Sequence, residues 1–315
     1  MRTSTPRPSR PGWPDGVTTF VEGAVRVTVP ATSANLGPGF DSLGLALSLR
    51  DELEAEVLPE GLLVEVEGAG ADGVPRDESH LVVRAMRAAF ELMGAQPPGL
   101  RLSCHNAIPH ARGLGSSSAA IVAGVVLARG LVAGGQLLAS DEALFDLAAD
   151  LEGHPDNVVL AFYGGFVISG REDDHWYAVR AGVDPRITAV AFVPPTGVET
   201  RVARGLLPAS VPHADAAANS GRAALLVAAL AGRPEHLLAA TRDWLHQEQR
   251  EPAMPETLAL VRRLRADGVP AVVSGAGPTV LAFGSADTSA LTGRCPDGWA
   301  CHDLAIEPAG AILLT

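Results

Sequence analysis

The stretch Pro109–Ala119 reads PHARGLGSSSA and runs into an apolar segment with the spacing of a helix. Gly113 and Gly115 allow positive φ and let the backbone approach a ligand without a Cβ in the way. The first N–H groups of the following helix are unpaired and carry about half a positive charge. Serine hydroxyls can add hydrogen bonds, and one of them can reach a Mg²⁺ ion. The stretch therefore predicts a phosphate nest that opens a helix.

Every residue of this loop is a candidate phosphate-binding position: Pro109, His110, Ala111, Arg112, Gly113, Leu114, Gly115, Ser116, Ser117, Ser118 and Ala119. The spacing is not the GxGxxG of dinucleotide-binding folds, and the acidic residue such a site needs about 20 positions later is poorly placed. The loop is not a Walker loop either, because it has no lysine. An ordinary glycine- and serine-rich turn before a helix is the alternative interpretation.

The charged residues narrow the function classes further. The chain has 36 acidic and 24 basic residues, a net charge of −12, and no lysine, so every basic residue is an arginine. The absence of lysine excludes Schiff-base and pyridoxal-phosphate chemistry that depends on one. An acidic chain with 4% aromatic residues is a poor candidate for a nucleic-acid partner, which requires a basic face.

The length of 315 residues suggests two domains or one large two-lobed domain. We expect a disordered tail over residues 1–16, rich in Pro, Arg and Ser, rather than a signal peptide. An N-terminal lobe is expected over 17–180 and a C-terminal lobe over 181–315. No run of 18 apolar residues occurs, so we predict a protein without membrane contact that acts in the cytoplasm. Three cysteines do not form a disulfide framework, and buried thiols are the simpler interpretation.

Strand and helix patterns alternate irregularly and not as strict βαβ units, which favours an α+β fold with two layers. In the first half, strands are expected at Ala24–Val29, Leu43–Leu49 and Glu54–Val66, and helices at Asp77–Met93, from Ser116, and from Ser140 to Glu152. In the second half, strands are expected at Ile187–Val193, Ala271–Ser274 and Thr279–Phe283, and helices near 213–231, 234–248 and 255–266, with a final edge strand in AILLT.

Two further motifs complete a pattern. Val29–Leu47 reads VPATSANLGPGFDSLGLAL, and Val272–Phe283 reads VVSGAGPTVLAF. With PHARGLGSSSA between them, the three motifs resemble, in order and separation, those of the GHMP superfamily of galactokinase, homoserine kinase, mevalonate kinase and phosphomevalonate kinase. The resemblance covers roughly residues 24–285, and the first motif is similar to its homoserine kinase version. In this family the third motif is a glycine loop near the phosphates, which implies nucleotide contacts for Gly275 and Gly277.

The resemblance implies a two-lobed fold with an N-terminal lobe like domain 2 of ribosomal protein S5 and a C-terminal ferredoxin-like lobe. It implies ATP-dependent phosphorylation of the side-chain hydroxyl of L-homoserine to O-phospho-L-homoserine, in threonine biosynthesis. ATP and Mg²⁺ are the implied cofactors, and L-homoserine is the implied partner. Family members are often homodimers, so a homodimer is a further expectation that the residues themselves do not test.

L-Homoserine is a zwitterion, so its pocket needs groups of both signs. The resemblance places Asn35 and Asp41 there, with Asp41 on the ammonium, although an Asx turn and a solvated acid would explain this loop as well. Thr200 and Arg204 lie one helical turn apart and can face one cleft. Arg250 resembles the family's second substrate arginine, although Gln249 replaces a frequent tyrosine. A guanidinium binds a carboxylate in a bidentate manner.

The segment Glu152–Asn157 reads EGHPDN and resembles a family segment that has a longer gap between its Glu and His. The resemblance assigns Mg²⁺ to Glu152 and Ser117, and a carboxylate on a cation is a poor proton acceptor. His154, Asp156 and Asn157 would line the homoserine side. Glu152 and Asp156 are thus the candidate catalytic residues. Asp156 either accepts the hydroxyl proton or only orients the hydroxyl, because a loose phosphoryl-transfer transition state needs little base catalysis.

Three alternatives stay open at this point. The first is another small-molecule kinase of the superfamily, acting on mevalonate or a sugar. The second is a non-catalytic ATP-binding regulator, and the third is a dinucleotide-dependent oxidoreductase, which the loop spacing disfavours. Two positions depart from the family: His80 stands where many members have Asn near the nucleotide, and Ser118 replaces the usual Ala. Asn219 fits the family pattern and is expected to hold elements of the second lobe together.

Overall fold

The fold contains two β-sheets in which most strand pairs are antiparallel. The computed structural model describes residues 19–173, 175–284 and 288–314. The expected tail at 1–16 lies outside these residues. The first sheet contains β1 (Val25–Ala34), β2 (Leu43–Leu58), β3 (Gly61–Gly68), β4 (Gly99–Asn106), β5 (Phe166–Glu172), β6 (His175–Ala181) and β11 (Ile312–Leu314). The second contains β7 (Thr188–Val193), β8 (Ala271–Val273), β9 (Val280–Gly284) and β10 (Ala300–Leu304).

The helices fall into the same two groups. In the first half they are α1 (Leu81–Met93), α2 (Ser116–Leu131), α3 (Gly135–Leu138), α4 (Asp141–Glu152) and α5 (Val158–Tyr163). In the second half they are α6 (Thr200–Gly205), α7 (His213–Gly232), α8 (Leu237–Ala240), α9 (Pro255–Ala266) and α10 (Ser289–Thr292). Short 3₁₀ helices occupy Ala71–Gly73, Pro234–His236 and Glu248–Ala253.

The first sheet has the order β11-β1-β2-β4-β3, and β5 pairs with β2 and β6. β3 and β4 run parallel, with α1 as their connection, and the other pairs are antiparallel. Along β2 the inward residues Asp51, Leu53 and Ala55 are buried while Glu52 is exposed, as the two-residue period of a strand requires. Helices α1, α2 and α4 pack against one another over this inner face and form the main core. The last strand, β11, returns the chain to the edge of β1.

The second sheet has the antiparallel order β10-β7-β9-β8. Numbered along the chain, this is the order 4-1-3-2 that a ferredoxin-like β-α-β-β-α-β unit produces. Helix α9 contacts β8 and β9, and its buried Leu258, Val261 and Leu264 join the smaller core. The expected α+β class and the two-lobed fold are confirmed.

Three local expectations were wrong. Helix α1 begins at Leu81 and not at Asp77, because the Asp77 carboxylate accepts the N–H and hydroxyl of Ser79 and holds a turn instead. The strands expected at Leu43–Leu49 and Glu54–Val66 have other bounds. β2 is one strand of sixteen residues that includes both the first expected strand and the start of the second, and the chain then turns at 59–60 before β3 begins.

The expected helix at 234–248 is broken into a 3₁₀ turn, the short α8 and a further turn. The Asp243 carboxylate accepts the N–H groups of Leu245, His246 and Gln247, at 2.8, 3.0 and 2.7 Å. A side chain that bonds its neighbouring backbone in this way competes with helix formation.

No helix within the described ranges combines the length and the apolar composition needed to cross a bilayer.

Candidate active site

Three glycine-rich loops, one from each sequence motif, meet between the two sheets. The Asn35 side-chain amide donates to the Gly275 carbonyl at 2.8 Å, and the Gly275 N–H donates to the Ala34 carbonyl at 3.0 Å. The Ser274 hydroxyl lies 2.6 Å from the Gly113 carbonyl and 2.8 Å from the Ser33 hydroxyl. The motifs are therefore hydrogen-bonded to one another, although the chain separates the first from the third by about 240 residues.

The phosphate loop needs glycine at both predicted positions. Gly113 has φ of 74°, and a Cβ there would lie 2.3 Å from the Ser274 carbonyl oxygen. Gly115 has φ of 71° at the N-cap of α2, and a Cβ there would lie 1.8 Å from the Thr32 hydroxyl. No side chain in the described part of the chain caps the start of this helix, so its first N–H groups are free for an acceptor.

Glu152 lies at the end of α4, opposite the start of α2. Its Oε1 accepts hydrogen bonds from the hydroxyls of Ser117 at 2.6 Å and Ser118 at 3.0 Å. Gly153 ends α4 with φ of 88°, which turns the chain sharply enough that Glu152 and His154 line one cavity despite the single residue between them. The short spacing therefore does not separate the two side chains.

Asp156 is a buried carboxylate, 4% exposed, with two donors. Its Oδ1 accepts the Asn157 N–H at 2.9 Å and faces His154 Nδ1 at 3.0 Å. This hydrogen bond to Asp156 raises the pKa of His154 above its usual value. The Asn157 amide oxygen in turn accepts from the Thr32 hydroxyl at 2.7 Å. Hydrogen bonds to the side chains of Asp156 and Asn157 therefore fix this segment in place.

Asp41 and Arg204 form a bidentate ion pair across the two lobes. The distances are 2.7 Å from Nη2 to Oδ1 and 3.1 Å from Nη1 to Oδ2. The side chains are 41% and 35% exposed. The hydrogen bond to Asp41 raises the pKa of Arg204. Phe40 lies beneath, with its ring centroid 5.7 Å from the Arg204 guanidinium carbon.

Arg250 is almost fully buried, at 1% exposed. Its Nη1 lies 3.0 Å from His246 Nδ1 and 3.1 Å from the Gly275 carbonyl. His246 Nε2 is 2.8 Å from the Gly37 carbonyl, so Nε2 must donate and Nδ1 accepts from Arg250. Burial, together with the nearby Arg204 charge, lowers the pKa of Arg250 to about 10. Arg250 Nε is buried without a partner among the described residues.

Most predicted site residues meet in one cleft of about 260 Å³. Its lining contains Asn35, Ala111, Arg112, Gly113, Gly115, Ser116, Ser117, Glu152, His154, Asp156, Asn157, Thr200, Arg204, Arg250 and Gly275. Asp41 reaches the same place through its pair with Arg204. One cleft therefore contains residues predicted to bind the phosphates, the metal ion and the amino acid.

Some residues of the phosphate loop also contact the core or the second lobe. Leu114 and Ala119 are buried in the core. The Arg112 guanidinium donates to the carbonyls of Pro194 and Pro195, at 3.0 and 2.5 Å. It therefore braces the end of β7. Ser118 is fully buried behind Glu152.

Two more predicted residues lie around the cleft. Gly277 packs close to Met254 and beside Gly113. Asn219 donates to the Pro38 carbonyl at 2.8 Å and accepts from Trp244 N–H, so it links the second lobe to the first-motif loop and not only elements of its own lobe.

A second cavity, of about 250 Å³, adjoins the first through Ser116 and Ser117. Its walls are mostly apolar and its polar lining includes Asp51, His80, Asn106 and His110. His80 and His110 are buried enough that desolvation lowers the pKa of both imidazoles.

Several residues that shape the site were missed from the sequence. Thr32, Ser274 and His246 hold functional side chains through contacts between segments that are 125 to 241 residues apart. The Phe40 ring makes cation–π contacts with both cleft arginines, Arg204 and Arg250. The only signal in the sequence is that Thr32, Phe40 and Ser274 lie within the recognised motifs; nothing marked His246.

Comparison with known proteins identifies the family. Two family models match, "GHMP kinases N terminal domain" over residues 80–165 and "GHMP kinases C terminal" over residues 223–291. Homoserine kinase of Streptomyces coelicolor is 56% identical over 299 residues, which cover 94% of this chain and 96% of that protein. Homoserine kinase of Clavibacter michiganensis is 49% identical, with 91% and 93% covered.

Solved structures agree with this assignment. Homoserine kinase from Cytophaga hutchinsonii superposes with a TM-score of 0.80 at 26% identity, and the match covers 92% of this chain and 97% of that one. Mevalonate kinase from L. major shares the fold, with a TM-score of 0.66 at 16% identity and 93% and 98% coverage. The chain belongs to the homoserine kinase family of the GHMP kinases.

Proposed function

We propose that this chain transfers the γ-phosphoryl group of ATP to the side-chain hydroxyl of L-homoserine, giving ADP and O-phospho-L-homoserine, on the path to threonine. One observation supports this proposal most strongly. The start of α2, Glu152 with its serine partner Ser117, and the Asp41–Arg204 pair all face the same cleft. The relatives are named homoserine kinases, which supports L-homoserine as the acceptor. A biosynthetic kinase that uses ATP is expected in the cytoplasm.

The phosphate groups of ATP would lie on the loop between Gly113 and Ser118. The free N–H groups at the start of α2 supply hydrogen bonds and a partial positive charge, which replaces the missing lysine. The purine would occupy the adjoining apolar cavity, because the two cavities share Ser116 and Ser117. This arrangement would direct the terminal phosphate toward Asp156 and the cleft arginines.

A magnesium ion fits the donor set at Ser117 and Glu152. Mg²⁺ prefers oxygen ligands, retains several waters and takes one or two carboxylates together with phosphate oxygens. Glu152 and Ser117 offer a carboxylate and a hydroxyl, and their oxygens are already 2.6 Å apart. When bound, the ion would neutralise charge on the β- and γ-phosphates. Ser118 would hold the same Glu152 oxygen, Oε1, from its buried position.

The amino-acid end of L-homoserine would exchange partners with the Asp41–Arg204 pair. The substrate ammonium would bind Asp41, and its carboxylate would bind Arg204 and Arg250. Opening a half-exposed ion pair costs about 0.2–1 kcal/mol. Each charge-assisted bond to the substrate contributes about 1.5–3 kcal/mol. The exchange therefore favours a ligand that carries both charges over a ligand that carries only one, because the second ligand leaves either Asp41 or Arg204 without a new partner.

The substrate hydroxyl would lie near Asp156. His154 and the Asn157 N–H hold this carboxylate in one orientation, so it can accept a hydrogen bond from the hydroxyl and receive its proton as the O–P bond forms. Orientation alone would also serve a loose transition state. In either case alignment and electrostatic stabilisation supply most of the catalysis.

A coupled ADP-release assay with L-homoserine, mevalonate and shikimate tests the proposal. We expect turnover with L-homoserine and MgATP, and much slower turnover with the acceptors that lack an ammonium group. Faster phosphorylation of mevalonate would assign the chain to another acceptor. Tight ATP binding without turnover would indicate a regulator. Light scattering on the purified protein tests the expected homodimer.

A further inference from the structure

We propose that Asp51 reads position 6 of the nucleobase, so that the enzyme selects a 6-aminopurine over a 6-oxopurine. This inference rests on the proposed function, because it places the purine of the phosphoryl donor in the second cavity. The structure suggests it through one carboxylate oxygen that has no protein partner among the described residues.

Asp51 lies on the inner face of β2, where the next inward residues are apolar. It is only 5% exposed and lines the second cavity. Its Oδ1 accepts both the Ala107 N–H, at 2.7 Å, and the Ile108 N–H, at 2.8 Å. Oδ2 receives no hydrogen bond from any described residue, and it is not among the fully enclosed unpaired atoms. The free oxygen therefore keeps an opening toward the cavity.

The surroundings of this oxygen are mainly apolar. Leu53, Val74, Leu81, Val82 and Ala120 form the walls that a flat heteroaromatic ring would contact. A buried carboxylate oxygen without a hydrogen bond raises the free energy of the folded protein, unless a ligand supplies the missing donor. An N–H of a bound base would supply it.

The chemistry of purines then sets the preference. Adenine carries an amino group at position 6, which donates a hydrogen bond to a carboxylate oxygen. Guanine and hypoxanthine carry a carbonyl oxygen there, and its lone pairs would face those of Oδ2. A site with a fixed acceptor rejects such an analogue, because a buried polar group is left unpaired. One charge-assisted hydrogen bond corresponds to about a ten- to hundredfold preference.

The first experiment uses the unmodified protein with L-homoserine and three nucleotides that differ at position 6. These are ATP, purine riboside triphosphate, which has only hydrogen there, and ITP, which has an oxygen. We expect kcat/KM to fall in that order, with ATP about ten- to hundredfold above ITP. Equal kcat/KM for ATP and ITP would overturn the proposal. An absence of turnover with ATP would instead refute the proposed function.

The second experiment uses Asp51→Asn. The amide oxygen can still accept from Ala107 and Ile108, while the amide nitrogen now donates where Oδ2 accepted. We expect the ATP-to-ITP ratio of kcat/KM to drop to about one or below, with KM for L-homoserine unchanged. Glu52→Gln is the matched control, because Glu52 is the exposed neighbour on the opposite face of β2, and it should keep the unmodified ratio.

Binding calorimetry with ATP and ITP provides a readout that does not depend on turnover. A change of the affinity ratio in Asp51→Asn, but not in Glu52→Gln, supports base reading. A ratio that stays the same in a folded Asp51→Asn protein, with its melting transition intact, would show that Asp51 only anchors the backbone at 107–108. If this variant does not fold, the comparison of the three nucleotides on the unmodified protein decides the question.

Discussion

At the scale of single residues, the cleft shows how arginine replaces lysine. The guanidinium of Arg204 pairs with both oxygens of Asp41, while Arg250 uses Nη1 for a histidine and a carbonyl, and its Nη2 has no hydrogen bond to a described residue. A lysine has a single ammonium and cannot span two acceptors in a fixed plane. The geometry of the amino-acid site therefore depends on the planar side chain and not only on its charge.

Arg204→Ala should raise the KM for L-homoserine about ten- to hundredfold, because it removes a charge-assisted bond that contributes about 1.5–3 kcal/mol. The KM for ATP should change little. Steady-state kinetics with each substrate varied in turn measures both constants. Arg201→Ala in the same helix is the control, since the Arg201 side chain is 90% exposed. Equal effects on both substrates would contradict the assignment.

Ser117→Ala should weaken the use of magnesium, because it removes the hydroxyl that accompanies Glu152. We expect a higher Mg²⁺ concentration for half-maximal activity, measured by titrating Mg²⁺ at fixed ATP. Ser118→Ala removes a neighbouring hydroxyl that bonds the same Glu152 oxygen from a fully buried position. It should lower stability by about 1 kcal/mol and leave the Mg²⁺ titration unchanged. Identical titrations for the two variants would exclude the metal role of Ser117.

Asp51 links stability to pH. Burial raises its pKa to about 6, so the folded protein holds this proton more tightly than the unfolded chain, where the usual value is near 3.8. Protonation between pH 7 and pH 4 therefore stabilises the fold, by about 3 kcal/mol at most. As the pH falls from 7 to 4, the free energy of unfolding of the unmodified protein should therefore increase relative to that of Asp51→Asn. Urea denaturation at several pH values measures it, and a constant difference would contradict the burial argument.

At the scale of elements, the positions of most helices and strands were predictable from repeating patterns. Helix ends and breaks caused by side chains that bond the nearby backbone were not predictable. The helices expected from Ser116, from Ser140 and near 255–266 are present as α2, α4 and α9, and Ser140 caps α4 by accepting the Ala143 N–H. The break near Asp243 was not expected, because a single carboxylate that accepts three N–H groups leaves no periodic signal. The capping of a turn by Asp77 displaced the start of α1 for a similar reason.

The phosphate loop is an element whose shape depends on close backbone contact. Gly113→Ala should reduce both stability and activity, because a Cβ would lie 2.3 Å from the Ser274 carbonyl oxygen and φ is positive. Backbone strain of this kind costs roughly 1–3 kcal/mol before the contact itself is relieved. Thermal unfolding and kcat/KM for ATP measure the two effects.

Gly182→Ala is the matched control, since a Cβ at Gly182 has no atom of a described residue within 4 Å. The control should behave like the unmodified protein. A Gly113→Ala protein with normal stability and normal use of ATP would show that the contact between the two glycine loops is unimportant.

At the scale of the whole molecule, the site exists only where the two sheets meet. Asn35 and Arg250 both donate to the Gly275 carbonyl, and His246 reaches Gly37, so residues far apart in the chain share one hydrogen-bond network. The three motifs and the two-lobed fold were predictable because each motif is contiguous. The Asp41–Arg204 pair and the His246–Gly37 contact were not, because they form only when the lobes pack together.

The most direct test is a crystal structure of the protein with L-homoserine, Mg²⁺ and a non-hydrolysable ATP analogue. We expect the phosphates on the loop at 113–118 and the amino acid inserted between Asp41 and Arg204, with its hydroxyl within hydrogen-bond distance of Asp156. An intact Asp41–Arg204 pair with the amino acid bound elsewhere, or phosphates away from the start of α2, would contradict the account.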